Sequence, residues 1–276
     1  MSKYFQLLFA FCLTTTLTLA CSSDNDPSTE EEEEEMAGVT LHPAFAEFDE
    51  ESYTITIDGS NFVLETDGLP NHTSPYWSST TERSRTGPEG NTMITVSSAD
   101  HPLWVPPTVT SYDNMAPGNI DDFNGSYTLT VPTNPSRATS SSSTGLGAIG
   151  LAISGSVIYN DEEGPNVPLD NAVGSLDYTA AHTGPQSYHY HLEPKAWSED
   201  DDKLIGIISD GFFLYGRKCN STGTYPTDLD ASGGHTSTTQ HADEAEYHYH
   251  IQNELYLNEF YILFPGDYQG TPNTIR

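Results

Sequence analysis

Positive charge is scarce in this chain: nine Lys and Arg stand against 40 Asp and Glu among 276 residues, a formal net charge of −31. Nucleic acid binding needs clustered cations to displace counterions, and none cluster here, which excludes nucleic acid and anionic lipid surfaces as partners. Such acidity raises the local concentration of cations by long-range attraction without selecting one. Cysteine is almost absent. Of the three, Cys12 lies in the N-terminal apolar stretch, Cys21 directly follows it and Cys219 stands alone, so the mature chain has no pair for an intramolecular disulfide. An exported fold without disulfides relies on its core or on metal. No apolar run after residue 20 approaches a bilayer-spanning length, and there is no Gly-x-Ser-x-Gly elbow, phosphate loop or dinucleotide fingerprint.

What is present begins with an export signal. Lys3 supplies a positive start, Tyr4 to Leu19 carries no charge, and Leu17-Thr18-Leu19-Ala20-Cys21 ends in the small-residue-then-Cys pattern of a lipoprotein processing site. Residues 1–20 therefore read as a signal peptide and Cys21 as the lipidated residue that holds the protein to a membrane. Residues 21–37, with the six consecutive glutamates Glu30 to Glu35, read as a solvated acidic tether. Placement at the outer membrane or cell surface is expected, with a periplasm-facing anchor as the alternative. Residues 38–276 then form one domain.

Thr, Ser, Tyr, Gly and Pro dominate that domain, and helix signals are weak, so the fold is expected to be all-β or β-dominated, a sandwich or a closed sheet. Tyr53 to Ile57 alternates apolar and polar residues, turns at Asp58-Gly59 and resumes at Phe62-Val63-Leu64, a hairpin pattern. Met93 to Val96 and Tyr127 to Val131 read as further strands, Pro70 to Pro88 and Pro102 to Gly118 as long loops, and Leu255 to Phe264 as a strand or short helix.

The second half repeats itself. Ile149-Gly150, Gly155, Tyr159, Leu176-Asp177, His182-Thr183 and Tyr188-His189-Tyr190-His191 recur in order as Ile205-Gly206, Gly211, Tyr215, Leu229-Asp230, His235-Thr236 and Tyr247-His248-Tyr249-His250. These define two units, about 146–194 and 203–253, expected to pair about a pseudo-twofold axis. On a strand, His189 and His191 share one face and the tyrosines the other, with the histidine Cβ atoms ~7 Å apart, close enough for both rings to reach one ion. His248 and His250 repeat this geometry.

His182 and His235 are matched third histidines, and His241, seven residues before His248, competes with His235 for that role. The ligands could form one four-His centre, two three-His centres or a shared cluster. Imidazole ligation points to a transition metal, copper ahead of zinc on affinity order. Cys219 ranks below the histidines as a sulfur ligand. Asp210, matching Ser154 in the first unit, is the candidate catalytic base, with a turn residue as the plainer reading. Asp49-Glu50-Glu51, Asp161-Glu162-Glu163 and Glu199 to Asp202 read as solvated charge runs.

These residues resemble the YHYH protein family, named for the tetrapeptide, over about residues 52 to 270. Gly68-Leu69-Pro70-Asn71-His72 is similar to that family's Gly-Ile-Pro-Asp-His segment, which brings in His72 as a weaker ligand candidate. Asp210-Gly211-Phe212-Phe213-Leu214-Tyr215-Gly216 resembles Asp-Gly-Phe-Pro-Ile-Tyr-Gly, and Leu229-Asp230 to His235 resembles Leu-Asp-x-Cys-x-Gly-His, with Ser232 in place of the cysteine. The resemblance brings no reaction with it. Three functions are therefore carried forward: a transition-metal lipoprotein, with metalloenzyme chemistry left open; a surface module that binds a glycan or a partner protein without metal; and a metal-free hydrolase using His with Asp177, Asp210 or Asp230.

Overall fold

The computed structural model describes residues 39–72, 125–173, 176–177, 179–184 and 187–276. The signal peptide, Cys21, the acidic tether, the Met93–Val96 strand and most of the two Pro-rich loops lie outside these residues. The described part is β-dominated; its only helical pieces are short 3-10 turns such as Pro43–Glu47 and Leu169–Asn171. Among the described residues no helix is long and apolar enough to cross a membrane.

Strands β1 (Tyr53–Asp58), β2 (Asn61–Thr66) and β3 (Tyr127–Pro132) form an antiparallel three-stranded sheet. The expected hairpin is there, with Asp58 opposite Asn61 and a two-residue turn of Gly59, at φ +59°, and Ser60. Eight further strands make the main sheet. The first unit supplies β4 (Gly150–Ala152), β5 (Val157–Ile158), β8 (Ala181–Thr183) and β9 (Tyr188–Tyr190). The second supplies β10 (Leu204–Ile208), β11 (Phe213–Tyr215), β12 (Gly234–Ser237) and β13 (Glu246–His250). A separate hairpin, β6 (Glu162–Gly164) with β7 (Val167–Pro168), projects from the first unit.

The order across the main sheet is β12-β13-β11-β10-β4-β5-β9-β8. With matched strands substituted for one another, this order reads the same from either end. The pairings match too: β5 with β9 and β11 with β13 are parallel, and the other neighbours are antiparallel. Ile158 faces Tyr190 as Leu214 faces Tyr249, and His182 faces His189 as His235 faces His248.

The repeated glycines have physical causes. At the central β4–β10 contact, a Cβ on Gly206 would lie 2.1 Å from the Leu151 carbonyl oxygen and one on Gly150 would lie 2.7 Å from that of Ile207. Gly155 and Gly211 close the β4–β5 and β10–β11 turns at φ +108° and +95°, a region that penalises side chains.

Residue alternation along the strands divides the core. Leu151, Val157, Ile207, Phe213 and Tyr215 pack with Phe45, Phe62, Leu64, Leu129 and Val131 between the two sheets, each buried Leu or Ile contributing ~1.5–3 kcal/mol. Ala152, Ile158, Ile208, Leu214, Tyr188, Tyr190 and Tyr249 fill a second core on the opposite face with Phe264 and Tyr268. Histidines 189, 191, 248 and 250, alternating with those tyrosines, therefore lie on the first face. Leu255 to Phe264 forms neither a strand nor a helix. Its backbone reverses through Leu257 and Asn258 at φ +52° and +58°, and isolated bridges pair Tyr256 with Phe260 and Leu192 with Ile262.

Two candidate metal centres

The motif tyrosines and histidines divide by face, and each tyrosine has a defined partner. Tyr188 donates to the Asp177 carboxylate and Tyr247 to that of Asp230 at 2.9 Å. Tyr190 is hydrogen-bonded to Ser154 Oγ at 2.8 Å, and Tyr249 donates to Asp210 Oδ2 at 2.6 Å. The Leu-Asp element of the repeat thus anchors the first motif tyrosine, and the residue before the turn glycine anchors the second. Burial pushes the Tyr188 and Tyr249 hydroxyls well above their ordinary range, so both stay protonated donors.

On the histidine face the two units gather separate donor groups. Glu163, His182, His189 and His191 form one, and Cys219, His235, His248 and His250 the other. Within each group one ligand atom per residue lies within 4.8 Å of all the rest. In the first, His182 Nε2 and His189 Nε2 are 3.0 Å apart, and Glu163 Oε1 is 3.2 Å from both His182 Nε2 and His191 Nε2. In the second, His248 Nε2 and His250 Nε2 are 3.1 Å apart, and Cys219 Sγ is 3.5 Å from His235 Nε2. Nitrogen and sulfur atoms placed tetrahedrally around one ion at ordinary zinc bond lengths are ~3.3–3.6 Å from each other, so both groups are already near that size.

The far ring nitrogens fix the tautomers. His250 Nδ1 lies 2.7 Å from the Gly216 carbonyl, His248 Nδ1 3.0 Å from that of Glu246, and His191 Nδ1 2.6 Å from that of Asn160. A carbonyl oxygen can only accept, so each of these Nδ1 atoms carries the proton and each Nε2 presents a lone pair. His235 Nδ1 donates to Asp228 Oδ1 at 2.9 Å, the carboxylate–histidine arrangement that orients a ligand ring. Lone pairs of His248 and His250 therefore face each other at 3.1 Å. His191 Nε2 is buried 3.2 Å from Glu163 Oε1.

Electrostatics favour the neutral form of His189, His248 and His250. Burial, reinforced by the neighbouring imidazole, pulls both His248 and His250 down to about 4. His189 is also held well below its ordinary value, by burial and by His182 and His191. Burial would raise the Glu163 carboxyl, but its bonds to His182 and His191 hold it well below the usual range. Burial also raises the Cys219 thiol; hydrogen bonds with Ser221 and Ser237 outweigh that and leave it lowered.

The two tetrapeptide strands do not meet. Four strands (β11, β10, β4 and β5) separate β13 from β9, ~24 Å along a sheet, so the ligands form two sets and not one pool. His241 sits in neither set. It stacks on Tyr215 with centroids 5.8 Å apart, is hydrogen-bonded to the Tyr215 hydroxyl at 3.0 Å and pairs with Glu47 at 2.6 Å. His72 is on the tyrosine side, 2.8 Å from the Tyr190 hydroxyl. Asp210, with its carboxyl raised by burial, accepts from Tyr249, from Gly270 N–H at 2.9 Å and from Phe212 N–H at 3.4 Å, away from the imidazoles.

The sequence reading missed one member of these groups and ranked another low. Glu163 belongs to a run read as a solvated loop, but β6 carries its carboxylate to the imidazoles; Cys219 was ranked low. Both stand four residues after a matched tyrosine, Tyr159 and Tyr215, so aligning the units position by position finds them together.

No curated protein and no solved structure matches the chain. A family model described as YHYH protein matches residues 126–227, from β3 through the first unit into the second, a narrower span than the resemblance over 52–270. Residues 126–227 thus carry the match to the YHYH protein family.

Proposed function

We propose that this protein is an exported lipoprotein, anchored through Cys21, that binds one transition-metal ion in each unit. His182, His189 and His191 serve the first centre and His235, His248 and His250 the second. Copper and zinc are the ions this donor set favours.

One observation carries the reading: His248 and His250 point unprotonated Nε2 atoms at each other across 3.1 Å, while their Nδ1 protons are committed to backbone carbonyls. Facing lone pairs repel, and burial removes the water that would separate them. A cation held by both rings turns that repulsion into coordination. In the first unit the Nε2 atoms of His182 and His189 lie 3.0 Å apart with Glu163 Oε1 3.2 Å from His182, a spacing that one shared ion would also satisfy.

Thermal unfolding of the protein, purified without a histidine tag, tests this. Chelator is expected to lower the midpoint, and one ion, copper or zinc, to restore it, since a ligand that binds only the folded state stabilises by RT ln(1 + [L]/Kd). A midpoint indifferent to chelator and to both ions contradicts the reading.

A further inference from the structure

The two donor groups share their backbone plan but differ in two properties that decide what a metal site does: the fourth donor atom and access to solvent. In the second unit every donor residue is buried, with Cys219 1 % exposed, His235 8 %, His248 1 % and His250 2 %. Its fourth donor is the Cys219 sulfur, with the Ser221 and Ser237 hydroxyls 3.1 and 3.3 Å away. In the first unit the fourth donor is the Glu163 carboxylate, whose side chain is 29 % exposed on the β6–β7 hairpin. A pocket of about 490 Å³, lined by Leu146, Tyr159, Glu163, His182, His189 and His191, opens directly onto that group.

Four buried protein donors complete a tetrahedral shell and leave no position for an outside ligand, which is the arrangement of structural zinc centres. The first unit also offers four donors, but one is a carboxylate on a solvent-facing hairpin that water or a small ligand in the pocket can displace, which gives the ion a route in and out. Thiolate also selects soft and borderline ions, whereas a carboxylate does not.

We infer that the centres differ in kind: Cys219, His235, His248 and His250 hold a zinc-class ion permanently as a structural element, and Glu163, His182, His189 and His191 hold an exchangeable ion that meets ligands in the pocket. This rests on the metal reading above. On binding, Cys219 gives up its thiol proton to solvent and the sulfur takes its place in the ion's shell.

The test uses zinc-loaded full-length protein briefly exposed to excess EDTA, then refilled with cobalt(II). Half the zinc is expected to leave at once. The single cobalt that replaces it should show ligand-field bands without thiolate-to-cobalt charge transfer in the near ultraviolet. Protein refolded wholly in cobalt should show that charge-transfer band, and Cys219→Ser should lose it. Glu163→Gln should weaken the labile ion roughly 10–100-fold and leave the retained one unchanged. Should Cys219→Ser fail to fold, the wild-type spectra alone decide.

Both ions leaving together, or charge transfer from the labile cobalt, overturns the inference while two bound ions keep the metal reading intact. Protein that takes up no ion overturns both.

Discussion

Replacing Tyr249 and Tyr190 separately with Phe compares one atom in two matched places. The Tyr249 hydroxyl donates to a carboxylate, Asp210, at 2.6 Å and accepts from Gln269 N–H at 2.8 Å; the Tyr190 hydroxyl is hydrogen-bonded to Ser154 Oγ and His72 Nε2, each at 2.8 Å. A hydrogen bond to a charged partner is worth ~1.5–3 kcal/mol and one between neutral groups ~0.5–1.5 kcal/mol. Tyr249→Phe should thus cost more than Tyr190→Phe and lower the thermal midpoint by roughly 3–12 °C. The cost should also depend on pH. Burial already raises the Asp210 carboxyl in the folded state, and removing its donor raises it further. The folded variant then binds more protons than the unfolded chain just above the ordinary carboxylate range, so its stability falls as pH rises through that window. Urea unfolding of both variants at pH 5 and pH 8, with metal content held equal, measures this. Equal costs at the two positions, or a Tyr249→Phe deficit that does not grow with pH, would refute the assignment of Asp210 as a buried, ionised acceptor.

His248 and His250 are lowered to about 4, below the ~6.5 of an unfolded imidazole, so between these values the unfolded chain binds more protons; metal-free protein should lose stability as pH falls from 6.5 towards 4, on the order of 3 kcal/mol per ring, in urea melts across that range. Gly206→Ala puts a methyl 2.1 Å from the Leu151 carbonyl oxygen and should cost ~1–3 kcal/mol or more, whereas Gly164→Ala, whose nearest neighbour would be 3.6 Å away, should stay within ~0.5 kcal/mol; denaturant midpoints separate them. His241→Ala should leave metal content at the wild-type value, because His241 bonds to Tyr215 and Glu47 outside both donor groups.

Much of the site was legible because strand alternation is a strict geometric rule. Once Tyr-His-Tyr-His lies on a strand, its histidines must share a face, and two such strings with matched upstream histidines imply two matched histidine groups. The repeated Ile-Gly was visible as a pattern, but its cause, the backbone approach of β4 to β10, is a tertiary fact. Glu163 and Cys219 were hidden because a repeat is recognised from identical residues, and these two occupy one position with different chemistries. The charge run pointed Glu163 to solvent, and a lone cysteine ranked Cys219 below the histidines. The separation of the two centres was also beyond local reading. It follows from the parallel β5–β9 and β11–β13 pairings, which set each tetrapeptide strand outward from the central pair. Leu255 to Phe264 misled for the opposite reason: its apolar residues, Tyr256, Phe260 and Ile262 among them, pack beside Leu169, Leu176 and Leu192 from an irregular backbone, and apolar content alone does not distinguish that from a strand.

The central claim is one metal ion per unit, and elemental analysis of tag-free protein tests it most directly. Three proteins are compared: wild type, His189→Ala with His191→Ala, and His248→Ala with His250→Ala. The account expects two equivalents of copper or zinc in the wild type and one in each double variant. Loss of all metal in either folded variant would contradict two separate centres, and no metal in the wild type after incubation with either ion would contradict the metal reading itself.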